Sequence, residues 1–125
     1  MRIVIAADHN VDLDSPVSPH FGHAAYFVVV DAEASEVSSV HTIDNPFCGS
    51  HGCGQVAGFV AQQGGQVILV CGMGQRAVQA FLDQGIEAVT GASGTVREAL
   101  GLYISGQLRG VTPCLEEGHR GGCHD

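Results

Sequence analysis

Basic residues are scarce in this chain. None of its 125 residues is lysine and only five are arginine, whereas thirteen are aspartate or glutamate, so the formal net charge is −8. The arginines are scattered along the chain and form no cluster. A nucleic-acid-binding protein needs a basic surface to neutralise phosphates, and an anionic membrane surface selects for a similar patch. We therefore expect neither nucleic acid nor a membrane among the partners.

Long apolar runs are missing too. The longest, residues 24–30, is far shorter than the roughly 20 residues that a helix needs to cross a bilayer. The run at residues 3–7 is too short for the core of a secretory signal, and Asp8 ends it. We therefore predict a cytoplasmic protein whose thiols stay reduced. Its five cysteines are then expected to be metal ligands or core residues, and not a disulfide framework.

The hydrophobic pattern predicts one α/β domain. With 45% hydrophobic residues, a chain of this length can bury a substantial core. The pattern predicts strands at 2–7, 25–31, 36–43, 66–71 and 86–89, and helices at 53–63, 74–84 and 95–104. The second and third strands form a hairpin with the third at the sheet edge. The order predicts a mixed sheet with helices on both faces and parallel strands near residues 3, 67 and 86. Residues 1–110 are assigned to the domain and residues 111–125 to a Cys/His-containing tail.

The stretch from Asn45 to Gly54, N-P-F-C-G-S-H-G-C-G, concentrates reactive side chains. Cys48, His51 and Cys53 lie close together in the sequence, and the glycines allow them to converge on one point. Thiolate and imidazole ligands suit zinc, copper or the iron of a sulfide cluster. A reversible Cys48–Cys53 disulfide is an alternative, because a helix that starts at Cys53 favours its thiolate. A turn with two small, semi-buried thiols is the third interpretation.

Other candidate ligands lie elsewhere in the chain. Cys114 and Cys123 in the tail would complete a site begun by the Cys48–Cys53 loop if the tail folds back. S-P-H-F-G-H (18–23) and C-G-M-G (71–74) are predicted to lie at the carboxyl ends of parallel strands, where open α/β sheets bind ligands. The glycines of the second motif also suit a nucleotide, but the next predicted strand does not end in the acidic residue that holds a ribose.

Five stretches together match a known pattern: I-V-I-A-A-D, S-P-H-F-G-H-A-A-Y-F-V-V-V-D, V-I-L-V-C-G-M-G-Q-R-A, F-L-D-Q-G-I-E-A-V-T-G and V-R-E-A-L followed by Y-I-S-G-Q-L. They resemble the dinitrogenase iron–molybdenum cofactor biosynthesis family over about residues 1–110. The resemblance implies a ribonuclease-H-like three-layer α/β/α fold with a mixed five-stranded sheet. It also implies a non-catalytic carrier that holds a metal–sulfur cluster, with His20 of H-F-G against the cluster. Where the family often has arginine after H-F-G, this chain has His23.

Three functions follow as hypotheses. The first is storage or delivery of an iron–sulfur or iron–molybdenum-type cluster, with a donor or acceptor protein as partner and no catalytic residue. Its cluster-contacting residues are predicted to be His20, Phe21, Gly22, Cys71, Gly72, Met73 and Gly74. The metal ligands are predicted to be His20, Cys48, His51, Cys53, Cys114 and Cys123. The second function is a zinc- or copper-binding structural or regulatory module, and the third is a thiol redox protein that uses Cys48 and Cys53.

Overall fold

The computed structural model of the protein describes residues 1–19, 24–33, 36–45 and 53–108, without the side chains of Cys53 and Gly54. The elements in chain order are β1 (Arg2–Ala7), a short 3-10 helix (Asp12–Asp14), β2 (Tyr26–Glu33), β3 (Glu36–Asp44), α1 (Cys53–Gln62), β4 (Val67–Leu69), α2 (Gln75–Asp83), β5 (Glu87–Val89) and α3 (Val96–Ile104). Each predicted strand and helix is present, with ends that differ by no more than two residues. None of the helices in the described ranges is long and apolar enough to cross a membrane.

The five strands form one mixed sheet in the order β3-β2-β1-β4-β5. β2 pairs antiparallel with both β1 and β3, whereas β4 pairs parallel with both β1 and β5. The predicted hairpin, the edge position of β3 and the three parallel strands are therefore confirmed. The central position of β1 explains its apolar run without alternation, because both faces of a central strand are covered.

Two apolar clusters cover the two faces of the sheet. On β1, Val4 and Ala6 belong to a cluster with α1 and α2, whereas Ile3 and Ile5 belong to a cluster with α3. This alternation follows from the two-residue repeat of a strand. The helix residues of the first cluster are Val56, Ala57, Val60, Ala77 and Phe81, and those of the second are Val96, Ala99 and Leu100. The helices thus lie on both faces, as predicted.

The long segment after β1 is irregular over most of its described length, as predicted, but it is tied to the domain. The amide of Asp8 donates to the carbonyl of Pro16 at 3.1 Å, and the amide of Ser18 donates to the carbonyl of Ala6 at 3.0 Å. The amide of Val17 reaches the carbonyl of Gly94 at 2.9 Å, and the amide of Val96 reaches that of Ser15 at 2.8 Å. The sequence did not predict the 3-10 helix within this segment.

The amino end of β1 is held by side-chain and main-chain hydrogen bonds. Nε of Arg2 donates to the carboxylate of Asp31 at 2.8 Å, and Nη1 of Arg2 donates to the carbonyl of Gln63 at 2.6 Å, just beyond the end of α1. The terminal ammonium donates to the carbonyl of Ala32 at 2.8 Å. One arginine therefore joins β1, β2 and the carboxyl end of α1.

Candidate functional site

One edge of the sheet collects the chain segments that carry the predicted chemistry. β1, β4 and β5 are parallel, so their carboxyl ends lie at the same edge. β2 starts at that edge and β3 ends there, because both pairings of β2 are antiparallel. We call this edge the carboxyl rim and define it by the residues that follow or precede the strands there: Asp8, Ala24, Asn45, Cys71–Gly74 and Thr90–Thr95.

Residues 71–74 form the central part of the carboxyl rim. Cys71 is 6% exposed and belongs to the α3-side cluster, whereas Met73 is 8% exposed and belongs to the α1- and α2-side cluster. Gly72 is buried and Gly74 is exposed. The predicted contact of these four residues with a cluster stays a prediction. Because two of the side chains are buried in the cores, such contacts would be made largely by main-chain atoms.

The loops after β4 and β5 are hydrogen-bonded to each other. The amide of Gly91 donates to the carbonyl of Cys71 at 2.9 Å, and the amide of Ala92 donates to the carbonyl of Val70 at 3.0 Å. Gly91 has a φ of +94°, a backbone conformation that glycine adopts without steric cost. The position of Cys71 on the carboxyl rim is therefore fixed by its own main chain.

Cys71 is half of a disulfide bond. The structure differs at this residue from the expectation of reduced thiols, whereas the burial of Cys71 in the α3-side cluster agrees with the expectation that the cysteines are metal ligands or core residues. The other half is one of the four remaining cysteines, and their side chains all lie outside the described residues. A disulfide needs Cα atoms roughly 4.4–6.8 Å apart, and no other cysteine is near Cys71 in the sequence. Tertiary folding makes such a contact, so the sequence alone could not predict it.

Two helices begin at the carboxyl rim with different caps. α3 starts with a capping box, in which Oγ1 of Thr95 accepts from the amide of Glu98 at 3.2 Å and the carboxylate of Glu98 accepts from the amide of Thr95 at 2.9 Å. Gly74 precedes α2 and has no side chain with which to cap it. The first turn of α2 contains exposed Arg76 and no acidic residue. The positive end of the helix dipole is therefore neutralised in α3 and available in α2.

Asn45 holds two parts of the carboxyl rim together. Its side chain is buried, and Nδ2 donates to the carbonyl of Ala24 at 2.7 Å. The Asn45 amide donates to the carbonyl of Ala25 at 3.0 Å. These bonds fix Ala24, which follows His23, against Asn45, which lies three residues before Cys48. Sequence analysis did not predict this anchor, although an Asn-Pro pair at the end of a strand is a recognisable turn signal.

Most of the predicted ligands lie outside the described residues. Cys53 is the first residue of α1, but its side chain is not described. The described residues contain no group of three or more His, Cys, Asp and Glu side chains that could hold a metal ion. The predicted contacts and ligands outside the described residues are His20, Phe21, Gly22, Cys48, His51, Cys114 and Cys123.

The described residues form a small α/β domain, and at its carboxyl rim the first turn of α2 has no capping side chain. Residues 1–106 match the model of the family described as dinitrogenase iron-molybdenum cofactor. The chain belongs to this family.

Relatives of known sequence or structure agree with this assignment. The chain is 30% identical over 110 residues to an uncharacterized protein of Methanocaldococcus jannaschii. The matched residues make up 86% of this chain and 89% of the relative. It is 36% identical to the apo form of the orange protein from Desulfovibrio gigas, with a TM-score of 0.77 over 89% of this chain and 92% of the other. It is 26% identical to a proposed NifB protein from Thermotoga, with a TM-score of 0.74; the match covers 90% of this chain and 94% of the other.

Proposed function

We propose that this protein binds an anionic metal–sulfur cluster at the carboxyl rim and delivers it to an acceptor protein, without catalysing a reaction. The observation that carries the proposal is the pair of hydrogen bonds from Asn45 to Ala24 and Ala25. They bring together the chain positions next to the two segments that contain His20 and the Cys48–Cys53 loop. We propose that imidazole and thiolate from these two parts of the sequence meet at this edge of the sheet.

The charge at the start of α2 supports an anionic cargo. Metal–sulfur clusters carry negative charge when their sulfurs are sulfide or thiolate, and helix N-termini bind anions through main-chain amides. Gly74 leaves space above the first turn, because a Cβ atom built on it meets no other atom within 4 Å. The net charge of −8 opposes anion binding only weakly, since charges more than about 8 Å away are largely screened at physiological ionic strength.

Soft ligands would supply the direct bonds to metal. Cysteine thiolates and histidine suit iron, copper and zinc in sulfur-rich sites. Because the described residues alone assemble no metal-binding group, we assign direct ligation to His20, Cys48, His51, Cys53, Cys114 and Cys123. Cys71, Gly72, Met73 and Gly74 would form the floor, together with Phe21 and Gly22. Main-chain amides at Gly74 and beyond would donate to cluster sulfurs.

The family supports the class of cargo and partner. Its description names the iron–molybdenum cofactor of dinitrogenase, and one structural relative is described as an apo form. We therefore propose a molybdenum- or iron-containing sulfide cluster as cargo and a nitrogenase-related or cluster-accepting protein as partner. A ribonuclease-H-like fold class, a cytoplasmic location and the absence of nucleic-acid and membrane partners stay predictions from the sequence.

The proposal is tested by changing the charge at the start of α2. Asp and Asn cap helices slightly better than Gly does, so Gly74→Asp and Gly74→Asn should each stabilise the fold by only about a few tenths of a kcal/mol. Only Asp adds a negative charge where the anion would bind. We expect Gly74→Asp to weaken tetrathiomolybdate binding at least fivefold relative to Gly74→Asn. Anaerobic titration followed by visible absorption and molybdenum analysis measures the difference.

Equal binding by the two variants would argue against an anion at α2. The zinc or copper module would be supported if protein from the native host were colourless and held about one zinc per chain. Such protein would also bind neither tetrathiomolybdate nor iron plus sulfide. In that case Cys48→Ser and Cys53→Ser should abolish metal binding. In a carrier whose main contact is at His20, the same two variants should only weaken cluster binding.

A further inference from the structure

β3 is an edge strand, and its outer side pairs with no strand among the described residues. The main-chain groups on that side are identified by the hydrogen bond from the amide of Asn45 to the carbonyl of Ala25, 3.0 Å long. Hydrogen-bonded residue pairs alternate with non-bonded pairs along an antiparallel ladder. Val40, Thr42 and Asp44 therefore direct their amides and carbonyls away from β2.

The pairing of β2 with β1 gives the same alternation. The amide of Ala32 donates to the carbonyl of Met1 at 2.9 Å, so the even-numbered residues of β2 bond to β1 and its odd-numbered residues bond to β3. Val29, an odd-numbered residue, lies opposite His41. The even-numbered residues of β3 near His41 therefore face outward.

Little in β3 prevents pairing with another chain. Natural edge strands are usually protected by lysine, proline, a bulge or a very short length. β3 contains no lysine, arginine, proline or glycine, and the register shift between Asp31 and Ala32 interrupts only its amino-terminal part. β5, at the opposite side of the sheet, is only 3 residues long. We call the unprotected stretch Val40–Asp44 the open edge.

The open edge is acidic on one face and apolar on the other. Asp44 is exposed, and so is Asp12, whose carboxylate accepts from Oγ1 of Thr42 at 2.7 Å. Val40 packs against the α3-side cluster, and Thr42 and Asp44 share its face because side chains alternate along a strand. Ile43, on the other face, packs against the α1- and α2-side cluster. A strand added here would meet carboxylates on one face and an apolar side chain on the other.

These charges disfavour a second copy of this chain at the open edge. Two copies that pair antiparallel through the whole open edge place Thr42 opposite Thr42. Both Asp12 carboxylates and both Asp44 carboxylates would then lie on one face of the joined sheet. Like charges destabilise strand pairs, and at short distance salt does not screen them fully. The complementary occupant is an extended segment with a basic residue at every second position.

We propose that the open edge docks an extended segment of the acceptor protein, in which basic and apolar residues alternate, as an additional strand of the sheet. The inference rests on the function proposed above and names the element that receives the partner. In strand addition, main-chain hydrogen bonds supply affinity and alternate side chains supply specificity. Because β3 ends at the carboxyl rim beside Asn45, the docked segment would hold the acceptor next to the cargo.

The first test uses a short fluorescent peptide of alternating lysine and valine, titrated against the full chain and followed by anisotropy. Two control peptides keep its sequence and charge, but one is N-methylated at every lysine amide and the other at every valine amide. In either strand orientation only one of the two sets faces β3. We expect the two methylated peptides to differ at least tenfold in affinity. Equal affinities would mean attraction by charge alone and would overturn the proposal.

The second test changes the open edge itself. Thr42→Pro and Thr42→Ala both lose the hydroxyl that binds Asp12, but only proline loses the outward amide, a change that edge strands tolerate. We expect Thr42→Pro to bind the unmethylated peptide at least fivefold more weakly than Thr42→Ala, and equal binding would overturn the proposal. Asp44→Asn should weaken binding about twofold and reduce its salt dependence. Thermal unfolding checks each variant, and if Thr42→Pro is unfolded the methylated peptides on wild type decide.

Sedimentation of the free protein tests the second copy as occupant. We expect a monomer in wild type and in Thr42→Pro. A wild-type dimer that Thr42→Pro converts to a monomer would overturn the proposal, because the open edge would then belong to a second copy.

Failure of the docking edge and failure of the carrier function give different results. Tetrathiomolybdate binding by a protein that does not distinguish the two methylated peptides would overturn the docking edge and leave the carrier function standing. Discrimination between the peptides without tetrathiomolybdate binding would support the docking edge and overturn the carrier function.

Discussion

The two ends of the parallel strands are built in opposite ways. At the amino end, Arg2 donates to Asp31 and to the carbonyl of Gln63, and the chain terminus donates to Ala32. At the carboxyl rim, α2 is preceded by an exposed glycine without a capping side chain. Hydrogen bonds join elements at both ends, but among the described residues only at the amino end does a charged side chain join three of them, and at the carboxyl rim the first turn of α2 has no capping side chain. Stability and binding can therefore be altered separately in this domain.

The largest effect is expected where the amino end is most closely packed. A Cβ atom on Gly65 would lie 2.8 Å from Cγ1 of Val60 and 3.0 Å from Cγ2 of Val4. Gly65→Ala should therefore lower the free energy of unfolding by about 1–3 kcal/mol, the usual cost of overpacking. Urea unfolding followed by circular dichroism measures this change.

Gly74→Ala is the matched control at the carboxyl rim. Its added Cβ meets open space and its φ of −70° suits alanine, so the change should stay within about 0.5 kcal/mol because lower unfolded-state entropy offsets the poorer cap. Similar decreases in the free energy of unfolding for Gly65→Ala and Gly74→Ala would contradict the contrast between the two ends.

The next effect concerns the helix at the rim that caps itself. Thr95→Ala removes the acceptor for the Glu98 amide and should destabilise the protein by about 1 kcal/mol. Thr95→Ser keeps the hydroxyl and should retain most of the stability. Because the cap of α3 is internal, neither variant should change tetrathiomolybdate binding, in contrast to Gly74→Asp. If the Thr95→Ala variant were fully folded and still bound tetrathiomolybdate more weakly than wild type, α3 would also contact the cargo.

The smallest expected effect is a change in stability at acid pH, and it involves the Arg2–Asp31 ion pair at the amino end of the strands. Hydrogen bonds from Arg2 and then from Ser39 lower the pKa of Asp31 from 3.8 to about 2. A lowered carboxyl pKa contributes stability above the unfolded-state value and loses it as pH falls through the folded-state value. The stability advantage of wild type over Asp31→Asn should therefore shrink between about pH 4 and about pH 2.

Urea unfolding of wild type and Asp31→Asn at a series of pH values measures this window. Ser39→Ala removes only one of the hydrogen bonds to Asp31. It should therefore reduce, but not abolish, the pH range over which the protein loses the stability that the ionised Asp31 contributes. Curves for wild type and Asp31→Asn that stay parallel down to about pH 2 would mean that the ion pair has no effect on the pKa.

The fold was largely predictable because its signals are local. Apolar runs identified β1 and β4, helical spacing identified α3, and Thr95 with Glu98 is a capping signal that can be read within four residues. The shortening of β4 to Val67–Leu69 was not predictable, since the pairing partner decides where a strand ends. The site was less predictable: its motifs indicated the carboxyl rim, but the anchor at Asn45 was missed.

The sequence by itself determined the elements of this protein, their order and the family to which it belongs, because periodicity, caps and motifs act over a few residues. Only the tertiary structure decided which groups meet across the chain. Arg2 and Asp31 are 29 residues apart, and Asn45 and Ala24 are 21 apart. Such contacts depend on strand order and register, which arise when all the elements pack together.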